Sequence, residues 1–110
     1  MIGGSPGIYK VFFIKIFIIA TYIDIISSDD TIADDLFVKM SSKRVKKIIE
    51  NELDERERRI IVLRYGLSGE KALTQREVAL KLGISRSYVS RIEKNALEKI
   101  SEHLKHSGIL

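Results

Sequence analysis

The residue that most constrains the fold of this chain is Gly83, which separates two segments with helical apolar spacing. Thr74 and Glu77 have the spacing of a capping box, so a short helix is expected to begin directly after Thr74. Gly83 can adopt a positive φ at the turn, and Ser85 is a good N-cap for the next helix. Two helices joined by so short a turn must cross steeply, and the pattern therefore predicts a helix-turn-helix within residues 74–104.

The apolar residues of this stretch fall on the inner faces of both helices. Ala79 is small, as expected where the second helix passes close to the first. Ile84 is expected to fill the corner between the helices. The predicted buried residues are Val78, Ala79, Leu82, Ile84, Val89, Ile92, Ala96, Leu97 and Ile100.

The residues left on the outer face of the second helix are polar or basic, which suits a helix that lies in the major groove of DNA. Arg86 and Arg91 are the best candidates for reading bases. One guanidinium can bond O6 and N7 of guanine together, a contact worth about 1–3 kcal/mol of discrimination. Ser87 and Ser90 are short enough to allow close approach. The predicted phosphate-binding or positioning residues, which set register, are Ser85, Tyr88, Ser90, Lys94 and Thr74.

Another helix is predicted upstream of this motif. Asp54 is a good N-cap with Glu57 at the capping-box spacing, and the helix runs to Tyr65. Gly66 follows as a C-cap glycine, and Leu67 can fold back over the last turn.

A further helical pattern extends from Thr31 to Glu52. The sequence leaves open whether Ser41 and Ser42 interrupt it. Its apolar stripe consists of Ile32, Leu36, Phe37, Met40, Val45, Ile48 and Ile49.

The N-terminal part has a different character. Residues 8–26 are mostly apolar, with Lys10 and Lys15 among the interruptions. A central lysine costs about 2.5–3.5 kcal/mol in a membrane helix, which disfavours a membrane anchor. A soluble strand or helix, or a misassigned start, remains open. Charge is also uneven: residues 1–41 contain three basic and five acidic residues, whereas residues 42–110 contain sixteen and ten, so the second part is a candidate for a polyanionic partner.

Two linked segments resemble a known family. The segments LDERERRIIVLRYGL (Leu53–Leu67) and LTQREVALKLGISRSYVSRIEKNALEKI (Leu73–Ile100) are similar to region four of bacterial RNA polymerase sigma factors, above all the sporulation types sigma-K and sigma-E. The segment Asp24–Phe37 resembles the acidic connector that precedes region four. The fold is therefore expected to be all-α, with a winged-helix-like or region-four helix-turn-helix. Residues 1–30 would form an apolar segment and connector, and residues 31–110 the helical domain.

The resemblance implies two partners. Residues 74–100 would bind the −35 element of a promoter and direct transcription initiation, with Arg86, Ser87 and Arg91 at base-reading positions. The housekeeping sigma factor has an acidic residue at the position of Ser87 and an amide at that of Arg91, so the preferred −35 sequence should differ. The helix that precedes them would contact the β-subunit flap of the polymerase core, through Ile60, Leu63 and Arg64.

The resemblance has a limit, because region two, which melts promoter DNA, has no counterpart in this sequence. The chain thus looks like the C-terminal portion of a split or truncated sigma gene. Two alternatives remain. One is a flap-binding decoy or regulatory module, and the other is a free-standing helix-turn-helix regulator that binds paired half-sites.

Other functional classes find little support in the sequence. No glycine-rich phosphate loop occurs before a helix, and no set of catalytic residues is recognisable. His103 and His106 have a spacing that can hold a metal, but no further ligand type lies near them, so a solvated tail is favoured. Without cysteines the chain suits the cytoplasm. We expect a cytoplasmic, non-enzymatic protein with no cofactor and no small-molecule substrate.

Overall fold

Helices are the only regular secondary structure in the described part of the chain. A computed structural model describes residues 7–9, 11–14 and 35–108. It contains the helices α1 (Asp35–Asn51), α2 (Glu55–Tyr65), α3 (Gln75–Leu82) and α4 (Arg86–His106), and residues 7–9 and 11–14 are also helical. The all-α prediction is confirmed. The winged-helix-like description is not confirmed, because no strand that could form a wing occurs in these ranges.

Side-chain caps fix where the helices begin, as predicted. The Asp54 carboxylate accepts from the Glu57 amide at 2.8 Å, and the Asp54 amide donates to Glu57 Oε1 at 3.0 Å. Thr74 and Glu77 repeat this reciprocal pair at 3.1 and 2.9 Å. Ser85 Oγ accepts from the Tyr88 amide at 3.1 Å. These contacts satisfy amides that have no partner within their own helix.

Helix α1 passes through Ser41 and Ser42 without interruption, and both serines are buried. Val45, Ile48 and Ile49 are buried as predicted. Met40 is 64% exposed, so its placement on the apolar face was wrong. The inward row runs along i, i+4 steps through Ser41, and Met40 is rotated about 100° away from it. The predicted start at Thr31 and most of the acidic connector lie outside the described residues.

The buried side chains form two clusters that share α4. The helix-turn-helix cluster lies between α2, α3 and the first half of α4. The main cluster lies between α1, α2, the second half of α4 and the N-terminal residues. The helix-turn-helix cluster comprises Ile60, Val78, Ala79, Val89 and Ile92, and the main cluster comprises Tyr9, Phe12, Phe13, Val45, Ile48, Ile49, Leu53, Ile61, Leu67, Ala96, Ile100 and Leu104.

The described N-terminal residues are part of the main cluster. Tyr9, Phe12 and Phe13 are each at most 3% exposed, and the Phe12 ring lies 4.9 Å from that of Tyr65. No helix among the described residues is long and apolar enough to span a bilayer. Residue 10 and residues 15–26 of the apolar run lie outside the described residues. The part that is described packs against α1, α2 and α4 as ordinary core.

Arg58 connects α1 to α2. Its Nε donates to the carbonyl of Ile49 at 3.0 Å, and its Nη2 donates to those of Glu50 and Leu53 at 3.1 and 2.9 Å. The last carbonyls of a helix lack intrahelical donors, so this guanidinium caps the C-terminus of α1. The contact fixes the direction in which α2 leaves.

Candidate nucleic-acid interface

The crossing of α3 and α4 has the geometry that the sequence predicts. Gly83 ends α3 with a φ of 68°, and its amide donates to the carbonyl of Ala79. The Ile84 amide reaches the same carbonyl at 3.1 Å. Val78 and Val89 are completely buried beneath the crossing. Leu82, Ile84 and Leu97 are only partly buried, but each packs against one of the clusters.

The outer face of this motif is exposed along its whole predicted length. The exposed residues are Ser85, Arg86, Ser87, Tyr88, Ser90, Arg91 and Lys94, together with Thr74 at the start of α3. Exposure is the condition that base or phosphate contacts require, and their assignment to individual contacts stays a prediction. No acidic residue interrupts α4 between Arg86 and Ile92.

Tyr88 is 41% exposed and has a cation above it. The guanidinium carbon of Arg56, from the first turn of α2, lies 5.9 Å from the ring centroid. This is within the range of a cation–π contact. No pattern in the sequence indicates this contact, because the two residues are far apart in the chain. The pair extends the basic face from α4 onto α2.

A second basic surface opens at the start of α3. Arg64, Thr74, Gln75, Arg76 and Arg86 line an open cleft that draws on α2, α3 and α4. The N-terminus of a helix favours anions, and three arginines surround it here. Arg76 and Gln75 were not singled out from the sequence, although their place in the first turn of α3 was available as a signal. We call this surface the arginine cleft.

A buried carboxylate lies behind the arginine cleft. Glu93 Oε1 accepts from Arg64 Nε at 2.8 Å and from Gln75 Nε2 at 3.1 Å, and Oε2 accepts from the Tyr65 hydroxyl at 2.8 Å. Burial alone would raise the pKa of Glu93. The hydrogen bonds from Arg64, Gln75 and Tyr65, with the charge of Arg64, outweigh burial and hold the pKa below its usual value. Burial and the bond to Glu93 raise the pKa of Tyr65.

The three residues predicted to contact polymerase occupy different environments. Ile60 is 0% exposed and belongs to the helix-turn-helix cluster, so it cannot offer a contact surface in this fold. Its assignment is corrected to core. Leu63 is partly buried against the same cluster. Arg64 lies toward the arginine cleft and is bonded to Glu93 and to the carbonyl of Leu73 at 2.7 Å. The apolar periodicity of α2 could not show which face packs on α3.

The two histidines make contacts close to the C-terminus of α4. His103 Nε2 lies 3.7 Å from Glu52 Oε1, and His106 Nδ1 lies 3.0 Å from the carbonyl oxygen of Glu102. Among the described residues, no group of three or more His, Cys, Asp or Glu side chains could hold a metal ion. The contacts of His103 instead connect the end of α4 to the end of α1.

A helix-turn-helix with an exposed basic outer face defines this domain as a DNA-binding type. Comparison with known proteins gives the family: residues 51–102 match the model described as Sigma-70, region 4. The sequence of these residues is therefore that of a sigma-70 region 4 domain. The match begins at the end of α1 and leaves out the N-terminal helical residues.

The similar proteins are named as RNA polymerase sigma factors. The chain is 51% identical over 79 residues to the RNA polymerase sigma-28 factor of Bacillus thuringiensis subsp. kurstaki. The aligned residues make up 71% of this chain and 33% of the relative. It is 49% identical over 79 residues to the sigma-K factor of Bacillus subtilis (71% and 26%), and 40% over 81 residues to the sigma-E factor of Clostridium acetobutylicum (74% and 34%). No solved structure gives a significant match. The chain spans about a quarter to a third of the length of these relatives.

Proposed function

We propose that this chain recognises the −35 element of promoters as part of an RNA polymerase sigma factor, directing initiation of sporulation genes in the cytoplasm. The observation that supports this most is the exposed basic face of α4 within a region 4 domain. The relatives are named as RNA polymerase sigma factors, which favours this role over that of an independent regulator.

Recognition of sequence is assigned to the first half of α4. Arg86 and Arg91 read base edges in the major groove, and Ser87 lies between them where a short side chain permits close approach. All three are exposed. Because guanidinium groups select guanine, we expect at least one G in the preferred site on each side of the position that faces Ser87.

Orientation on the duplex is assigned to the surrounding basic and hydroxyl groups. Ser85, Tyr88, Ser90 and Lys94, which are all exposed, are the proposed phosphate contacts of this kind. We add the arginine cleft with Thr74 at its edge as the site of another phosphate, held by the N-terminus of α3. Such contacts set the register of α4 without reading sequence, and they make affinity depend on salt.

The polymerase core remains the second proposed partner, through the β-subunit flap. Of the three residues assigned to this contact, Leu63 keeps some exposed surface, whereas Ile60 has none. The contact surface on α2 therefore has to include its solvent-exposed side rather than its apolar face alone.

The test is DNA selection followed by quantitative binding. The purified 110-residue protein is used to enrich duplexes from a random library, and affinity for the selected site is compared with that for a scrambled site. Arg86→Ala and Arg91→Ala should each weaken binding to the selected site by about 1–3 kcal/mol and relax preference at one position. Lys47→Ala, an exposed charge change on α1, is the control and should leave preference unchanged.

Two outcomes would contradict the proposal. No enrichment of any sequence would reject promoter reading and favour the flap-binding alternative, provided the protein still binds polymerase core in a pull-down. Equal losses on selected and scrambled DNA would show that the two arginines bind phosphates and do not read bases.

A further inference from the structure

Glu93 is an acidic residue on the helix that the proposed function presents to DNA. It lies two residues after Arg91 and is only 6% exposed. Carboxylates are rarely this buried unless they are paired, and a negative charge close to a DNA-binding face opposes binding by Coulomb repulsion. The placement therefore needs a reason other than attraction to DNA.

The bonds of Glu93 join the elements that carry the proposed DNA contacts. Its donors are Arg64 and Tyr65 at the end of α2 and Gln75 at the start of α3, at 2.8, 2.8 and 3.1 Å. Two of them, Arg64 and Gln75, also line the arginine cleft. One carboxylate thus fixes the end of α2, the start of α3 and the middle of α4 relative to one another.

The orientation of Arg64 follows from these bonds. Its Nε is held by Glu93 and its Nη1 donates to the carbonyl of Leu73 at 2.7 Å. Within the described residues Nη2 has no protein acceptor, and the guanidinium lies at the wall of the arginine cleft. A planar guanidinium fixed through two of its nitrogens presents the third in a defined direction.

We propose that Glu93 is a positioning residue for DNA binding, which directs Arg64 and Gln75 toward a phosphate in the arginine cleft and fixes the orientation of α4. The inference rests on the proposed function, since it needs DNA as the ligand. A buried ion pair is weak evidence for stability, because an apolar replacement of similar volume is often as stable. Geometry at the interface is thus the better account of Glu93.

The proposal predicts that neutralising Glu93 lowers DNA affinity, whereas charge repulsion alone predicts that it raises the affinity. Glu93→Gln removes one negative charge beside the DNA face while keeping shape and one acceptor oxygen. If Glu93 were a bystander charge, the change would leave DNA affinity unaltered or raise it. If Glu93 positions Arg64, the change weakens binding, because the guanidinium loses its charged partner and its fixed direction.

The experiment measures the dissociation constant of the full 110-residue protein for its selected duplex over a range of salt concentrations. We expect Glu93→Gln to bind about tenfold more weakly, equivalent to one lost charge-assisted contact. The slope of log affinity against log salt should fall by about 0.9, as for one lost phosphate contact. Glu98→Gln, the same charge change at an exposed position of α4, is the matched control and should bind equally well or slightly tighter.

Unfolding of the variant must be kept apart from a binding defect, so all measurements are made well below the melting temperature of each protein. Arg64→Lys is a second variant that retains the charge but loses the two-nitrogen geometry. It should give the same loss of slope, and the double variant should bind no worse than the weaker single variant, as expected for residues acting through one contact. Should Glu93→Gln not fold, Arg64→Lys alone decides, and an unchanged slope rejects the proposal.

The two levels of hypothesis fail in different ways. A wild-type protein that selects no DNA sequence contradicts the proposed function. A wild-type protein that selects a sequence, combined with Glu93→Gln binding as tightly as Glu98→Gln at every salt concentration, overturns the positioning role alone.

Discussion

Gly66 and Gly83 form a matched pair whose substitution tests the turn geometry of this domain. Both end a helix with a left-handed backbone, at φ values of 64° and 68°. Alanine in that conformation costs about 1–2 kcal/mol. A Cβ at Gly83 would meet no heavy atom within 4 Å, whereas one at Gly66 would lie 2.5 Å from the carbonyl oxygen of Glu70 and 3.2 Å from the amide nitrogen of Ala72.

The two substitutions should therefore differ in cost. Gly83→Ala should lower the free energy of unfolding by the backbone term alone, about 1–2 kcal/mol. Gly66→Ala should add the overpacking of a tight site, about 1–3 kcal/mol, for a total of about 2–5 kcal/mol. Gly83→Asn should recover most of the loss, because asparagine tolerates the left-handed region.

The assay is urea unfolding followed by circular dichroism at 222 nm (the helix band), with the midpoint and the slope fitted for each variant. A lower midpoint with an unchanged slope reports stability. Equal losses at the two glycines, or a larger loss at Gly83, would refute the reasoning that backbone contact at Glu70 separates them.

Three further predictions follow from burial and charge. Ile60→Ala should lower the free energy of unfolding by about 2–5 kcal/mol, and polymerase binding should fall only in proportion to the unfolded fraction; a specific loss by the folded protein in a pull-down would restore it as a contact residue. Phe13→Ala should cost about 3–5 kcal/mol in urea unfolding, while exposed Val11→Ala should cost little, and equal effects would contradict the N-terminal packing. The pKa of Glu93 is lowered from 4.5, and the hydrogen bond to Glu57 raises the pKa of Lys99 from 10.5. Their contributions to stability should therefore be complete between about pH 5 and pH 10, and they should be lost in acid as Glu93 protonates and in base as Lys99 deprotonates. Thermal melting as a function of pH checks this, and a maximum of stability outside that range would contradict it.

Local signals in the sequence predicted most of residues 54–104. Asp54, Thr74 and Ser85 mark helix starts because a capping side chain acts within three residues of its own position. Gly66 and Gly83 mark helix ends for an equally local reason. The caps, the turn and the exposure of the outer face of α4 are confirmed for that reason.

Features that depend on packing between helices could not be predicted in the same way. Met40 was assigned from periodicity and Ile60 from the family resemblance, and neither shows which face of a helix meets a neighbouring helix. Glu93 was not identified, because its donors are up to twenty-nine residues away in the chain. Its place in an otherwise apolar row of α4 was the one available signal, and it required the position of α2 to be understood. The burial of Phe12 and Phe13 was hidden in the same way.

Helix α4 crosses both hydrophobic clusters, so a small tilt at its C-terminal end displaces its N-terminal end by a larger distance. It contributes Val89 and Ile92 to one cluster and Ile100 and Leu104 to the other. At 1.5 Å per residue, Arg86 lies about 21 Å from Ile100 along the axis. A tilt of about 5° about Ile100 would displace Arg86 by about 2 Å, more than the tolerance of a bidentate hydrogen bond. Packing defects near the end of α4 should thus be amplified into errors in the proposed base recognition.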